Sequence, residues 1–348
     1  MDRATLRAQI ERGEPVTELD LSGADLKGAD LSGGIFEQVR FRGANLTGAD
    51  LRESAFSGCD FSQARMEGVQ LQHAVMYSAD LSRAVLTGAS LVMAQVHKSQ
   101  LVSVELRGAN LLQAAMVRVD LSGASLAETD MDRAAILESK TEGIDLSGAR
   151  LKQTTLYQAD LSKAKLGGAR FELAVLVGSK LAGLDLRRAD FTLTQLMAAD
   201  LTGCDLREAN LTQCNFKDAL LEGAKLDGAK ANNALFVNAK LQRASLRAAQ
   251  LFQSIFLEAD LTQADCTGAQ MQQCILMRAN CQAARFNNAD LTYADFSHAD
   301  VSGAHLTGAT VSRAKFHLAK EQGTLGKGKG ALGDDADQAE AERWRPKF

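Results

Sequence analysis

This chain has no dominant charge of one sign, no long apolar run and no paired catalytic groups. Across 348 residues, 39 Lys and Arg nearly balance 43 Asp and Glu, a formal net charge of −4. So small an imbalance argues against electrostatic capture of nucleic acid or of a membrane surface. No stretch approaches the ~18 apolar residues that a membrane span needs. The opening segment, MDRATLRAQIERGE, is charged throughout and so does not read as a signal peptide. A soluble cytoplasmic protein is the expectation.

Six cysteines and five histidines are too few and too scattered for a catalytic or metal-ligand pattern. His73, His97, His298, His305 and His317 read as outward-facing. His298 and His317 fall near one another beside Asp295, but as ordinary surface histidines, so no metal is expected. Residues 323–330 reach the lysine of a phosphate loop, yet Gly330 stands where the Ser or Thr for Mg²⁺ belongs, and the segment reads as linker. No enzyme activity and no cofactor are expected.

What is present is a stutter. In DLSGADLKGADLSGG, residues 20–34, the same residue types return every five positions, matching neither the helical period of 3.6 nor the strand period of two. Stepping by five from Leu21 gives Leu26, Leu31, Phe36, Phe41 and Leu46, and the frame still holds at Leu291, Phe296 and Phe316. Over about sixty steps there is no insertion, and only Thr141, Ala231, Cys266 and Cys281 depart from large apolar residues. A smaller apolar residue, such as Ala24, Ala44, Cys59 or Ala79, stands two positions earlier.

Residues two apart share a face of extended backbone, so the large and small apolar residues point the same way. The other three residues of each five are mostly polar and bend the chain; Gly23 and Gly28 suit corners of positive φ. Four such sides close a square coil of about 20 residues, and the frame holds about fifteen coils, a rod of about 70 Å at the strand spacing. The cysteines all fall at inward positions, as core filler in a reducing compartment rather than as disulfides.

The recurring A-(D/N)-L-x-x, as in Ala24-Asp25-Leu26, Ala44-Asn45-Leu46 and Ala209-Asn210-Leu211, resembles the pentapeptide-repeat family. The resemblance implies an all-β fold, a right-handed four-sided β-solenoid. The expected organisation is an N-terminal cap over 1–18, the solenoid over 19–318 and a flexible tail over 319–348. Leu6 and Ile10, four apart, predict a short helix closing the first coil before Pro15.

Three sides of the square are mainly polar outside; the fourth, headed by Phe36, is not. Its outward positions include Ile35, Val75, Tyr77, Val117, Leu137, Tyr157, Val175, Val177 and Met197. Further along they include Leu235, Val237, Ile255, Leu257, Ile275 and Met277. Triplets such as Ile255-Phe256-Leu257 break the in-out alternation of a half-exposed strand. The adjoining corner adds Met93, Leu112, Leu173, Leu193 and Phe252. Together they predict an apolar stripe of roughly 500 Å², large for a surface left bare. Trp344, in the basic terminal segment, is a candidate anchor of the same kind.

The pattern therefore predicts a non-catalytic scaffold or adaptor that docks another protein, or a second copy of itself, along that face. The family resemblance allows an accessory or immunity role in a bacterial secretion system. It also implies an alternative, a DNA mimic that binds DNA gyrase, which needs a strongly anionic surface in place of phosphates. The near-neutral balance of this chain counts against it.

Overall fold

The structure is a computed structural model and describes residues 3–343. Trp344 lies outside the described residues. The chain divides into two compact units, Met1–Lys180 and Leu181–Phe348. In a solenoid each rung touches only its neighbours, so no common core ties distant rungs together.

The first unit opens with helix α1, Arg3–Glu11, which buries Leu6 and Ile10. This is the cap that the four-residue spacing predicts. Eight parallel strands then stack in chain order: β1 Val16–Thr17, β2 Ile35–Glu37, β3 Ala55–Ser57, β4 Val75–Tyr77, β5 Gln95–His97, β6 Ala115–Val117, β7 Ala135–Leu137 and β8 Thr155–Leu156. The register is constant, Phe36 opposite Phe56 and Phe56 opposite Met76, one full coil apart. On the other sides single residues make the same step, as in Asp20 opposite Arg40 and Asn45 opposite Arg65.

Regular strand is scarcer than the repeat predicts. The ladder of strands makes about seven turns rather than fifteen, and it occupies one side only. The reason is local. On the other three sides the chain turns immediately after the inward residue: Ala24 N donates to Leu21 O at 3.1 Å, with Gly23 at φ 66° between them. That leaves one residue per side to pair. On the Phe36 side the residue after the inward position stays extended, so three residues pair.

Among the described residues of the second unit, pairing is by single bridges, twenty residues apart up to His305 with Leu325, as in Asp185 with Asp205 and Leu235 with Ile255. The last bridge departs from this step: His305 with Leu325 keeps it, but Lys315 pairs with Leu332, and helix α2, Ala336–Arg343, follows. The segment expected as a flexible tail thus carries pairing and a helix up to residue 343. Asp335 caps α2 by accepting Gln338 N–H at 3.0 Å.

The interior is a column of large side chains on each side. Phe36 stacks on Phe56 with ring centroids 5.0 Å apart, and Phe216, Phe236 and Phe256 stack at 4.9 and 4.7 Å. All six cysteines are buried and free. Burial pushes their thiols up, to about 11 for Cys59 and Cys204 and about 12 for Cys214 and Cys274. At the small inward position they do more than fill space. Cys204, Cys214 and Cys274 donate to the carbonyls of Leu181, Phe191 and Leu251 at 2.8–2.9 Å, as Ser54 and Thr154 do to Leu31 and Met131.

Candidate functional site

In the first unit the flat ladder is the side on which the sequence places its apolar outer residues. Strand alternation aims Phe36 inward and its two neighbours outward, and the constant register lines these up. One outward column runs Ile35, Ala55, Val75, Gln95, Ala115, Ala135; the other runs Glu37, Ser57, Tyr77, His97, Val117, Leu137. Ile35, Val75 and Tyr77 are 43, 38 and 44% exposed, and Ala55 between them leaves a shallow depression. Lys98 Nζ donates to Tyr77 Oη at 2.6 Å and sits 5.0 Å from the ring centre, so a cation borders this patch.

Val117, Leu137, Val175 and Val177 are half-buried, and Tyr157 is exposed. In the second unit Leu235, Ile255 and Ile275 are consecutive in one column, which continues with the charged Asp295 and Lys315. Beside them Val237, Leu257 and Met277 are half-buried. Met197 is separated from this group by a rung bearing Asn215 and Lys217. The predicted residues therefore form two groups, one in each unit, and none of those described is buried.

The corner beside this side exposes Met93, Leu193 and Phe252 as expected, and also Tyr293, which the sequence reading missed although it lies in the column of Met93 and Leu193. Tyr293 carries Arg313 over its ring at 5.6 Å. Leu220 is exposed on another side; a single residue without periodic partners carried no signal in the sequence.

The aspartate columns have two structural tasks. Each carboxylate accepts the amide two residues on, as Asp20 does from Ser22 at 3.0 Å, which fixes the entry to the turn. Many also face a cation one coil away: Arg40 with Asp20, Lys140 with Asp120, Arg150 with Asp130, Lys180 with Asp160. Hydrogen bonds from Ser22, with Arg40 alongside, hold Asp20 down at about 2, and Arg187 does the same for Asp185.

A carboxylate depressed by folding stabilises the native state above its unfolded pKa and ceases to do so as pH falls through the folded value. Stability should therefore be level above pH ~5 and decline between about pH 4 and 2. Urea titrations at stepped pH would show this; an unchanged midpoint down to pH 2 would contradict it.

One histidine is not where the sequence puts it. His317 is 1% exposed rather than outward-facing. The segment leading into α2 covers it, with Asp335 N–H donating to His317 Nδ1 at 3.0 Å and Glu342 of α2 near its Nε2. No local pattern near His317 announces a helix that returns some twenty residues later.

A parallel coil of four five-residue sides, pairing at a fixed twenty-residue step, defines a β-solenoid repeat protein. The pentapeptide-repeat family matches residues 20–58, 99–134, 142–176, 156–192, 194–230, 219–256, 254–292 and 284–320, with a second pentapeptide-repeat match at 41–85. The chain belongs to the pentapeptide-repeat family.

Among solved structures it is similar to HetL, a pentapeptide repeat protein involved in heterocyst differentiation regulation in the cyanobacterium Nostoc sp. strain PCC 7120. That match has 27% identity over 70% of this chain and 96% of HetL, with a TM-score of 0.36. It is also similar to QnrB1, a plasmid-mediated fluoroquinolone resistance protein, at 22% identity over 55% of this chain and 81% of that one, TM-score 0.33. A third is a pentapeptide repeat protein of the Arabidopsis thaliana thylakoid lumen, at 24% identity over 37% and 75%, TM-score 0.18. None of the curated proteins compared matches the chain. No described helix is long and apolar enough to cross a membrane.

Proposed function

We propose that this protein is a non-catalytic scaffold that binds another protein through apolar groups on its Phe36-headed side. The observation that carries the reading is the exposure of Ile35, Val75 and Tyr77 on a flat parallel ladder, where ordinary in-out alternation calls for polar residues. Aromatic and branched apolar groups on a rigid surface cost little ordering entropy when a partner covers them. The Leu235, Ile255 and Ile275 column of the second unit offers a similar surface. An adaptor or immunity role in a bacterial secretion system is one setting for such a scaffold.

The DNA-mimic alternative is disfavoured by charge. A phosphate mimic needs unpaired carboxylates in long rows, whereas here the rows are broken by basic residues, Asp20, Asp120, Asp130 and Asp160 each facing a Lys or Arg.

Two sets of substitutions test the docking face. Ile255→Ser, Leu257→Ser, Ile275→Lys and Met277→Lys together, or Ile35→Ser, Val75→Lys and Tyr77→Ser together, should leave the circular dichroism spectrum and unfolding midpoint close to wild type, since none of these side chains is part of the buried core. At least one set should abolish recovery of the native partner from the source cell by affinity capture and mass spectrometry. Full recovery with both sets would refute the face.

A further inference from the structure

His298, His317 and Glu342 converge in the second unit. Glu342 Oε2 lies 3.1 Å from His298 Nε2 and 3.6 Å from His317 Nε2, and one ligand atom from each residue lies within 4.8 Å of the others. His317 Nε2 is buried without a hydrogen-bond partner, on a residue 1% exposed. A buried imidazole nitrogen aimed into a cluster and left unpaired calls for a ligand.

From these observations we infer that the two imidazoles and the carboxylate form a binding site for a divalent transition cation of the zinc class, which staples helix α2 to the end of the coil. Both carboxylate–imidazole spacings fit: ligand bonds of about 2.0–2.2 Å in a tetrahedron put ligand atoms roughly 3.3–3.5 Å apart. The donor set of two nitrogens and one oxygen suits Zn²⁺ or Co²⁺, whereas Ca²⁺ and Mg²⁺ want oxygens throughout. Gln338 Nε2 donates to Glu342 Oε1 at 2.9 Å, fixing the carboxylate while Oε2 points at the histidines. Three protein ligands leave a fourth position for water.

The proton on His317 has to move. With Asp335 N–H donating to Nδ1, the neutral ring carries its hydrogen on Nε2. Metal binding takes the Nε2 lone pair, so the hydrogen shifts to Nδ1 and the Asp335 amide is released. The exchange gives up one hydrogen bond for three metal–ligand bonds.

The full chain, without a polyhistidine tag and stripped with chelator, should bind one Zn²⁺ in calorimetric titration. With Co²⁺ it should develop the visible absorption of a tetrahedral site. His298→Ala and Glu342→Gln, both at partly exposed positions, should each weaken binding by about tenfold or more, while His73→Ala leaves it unchanged. Circular dichroism of the same samples verifies that the variants remain folded. Absence of Zn²⁺ binding, or equal affinity in His298→Ala, Glu342→Gln and wild type, would overturn the site and leave the cluster as a hydrogen-bonded clasp.

Discussion

Replacing Phe236 with alanine should lower the unfolding free energy by about 3–5 kcal/mol, the usual loss for a large aromatic removed from a core. Phe236 is fully buried and stacked between Phe216 and Phe256 at 4.9 and 4.7 Å. Its removal opens a gap that backbone bonds hold in place: Phe236 N donates to Ile255 O at 2.6 Å, and Ala239 N to Phe236 O at 3.1 Å. The rungs above and below therefore cannot collapse into the space, which puts the cost at the high end. Phe236→Leu keeps most of the volume and should cost far less. Urea midpoints at constant m-value would measure both. A Phe236→Ala loss under about 1 kcal/mol would mean that the rungs close up, and the rigid-ladder account would be wrong.

The second large effect concerns the step itself. Deleting residues 221–240 removes one whole coil and joins Leu220 to Leu241, which occupies the position of Leu221 one rung on. Since the rungs on either side of this one pair by the same single bridges, this variant should fold cooperatively with somewhat reduced stability. Deleting Ala234 alone should be far worse. Three amide bonds meet there: Asn233 N to Phe252 O at 2.9 Å, Ala234 N to Ala231 O at 3.2 Å and Leu235 N to Cys214 O at 2.9 Å. Four residues cannot supply both a flat side and a corner, so these groups lose their partners, at about 1–3 kcal/mol for each one left buried. Circular dichroism and size-exclusion chromatography should show a folded protein for the twenty-residue deletion and a disrupted one for the single-residue deletion. The reverse order would show that the coils are not interchangeable units.

Much of this molecule is legible in its sequence because each residue's fate depends on its place in the five. Leu21, Phe36 and Phe316 had to point inward, and they are buried. Leu6 and Ile10 could bury themselves only on a helix, and α1 forms there. The apolar outer residues could be placed on one side by counting alone, and Ile35, Val75 and Tyr77 stand exposed on it. Counting was weaker at isolated positions: Leu220 has no apolar company in its column, so nothing marked it, whereas Tyr293 shares the column of Met93 and Leu193 and was legible there.

By itself, then, the chain determined which side chains face in, which face out and the step between rungs, since these follow from a strictly local repeat. Only the tertiary structure decided that regular strand forms on the Phe36 side alone, where the backbone stays extended past the inward residue instead of turning. It likewise decided that α2 returns to bury His317 and bring Glu342 beside it. Those outcomes depend on contacts between residues about twenty apart in the chain, and a pattern of period five is the same on every side of the coil.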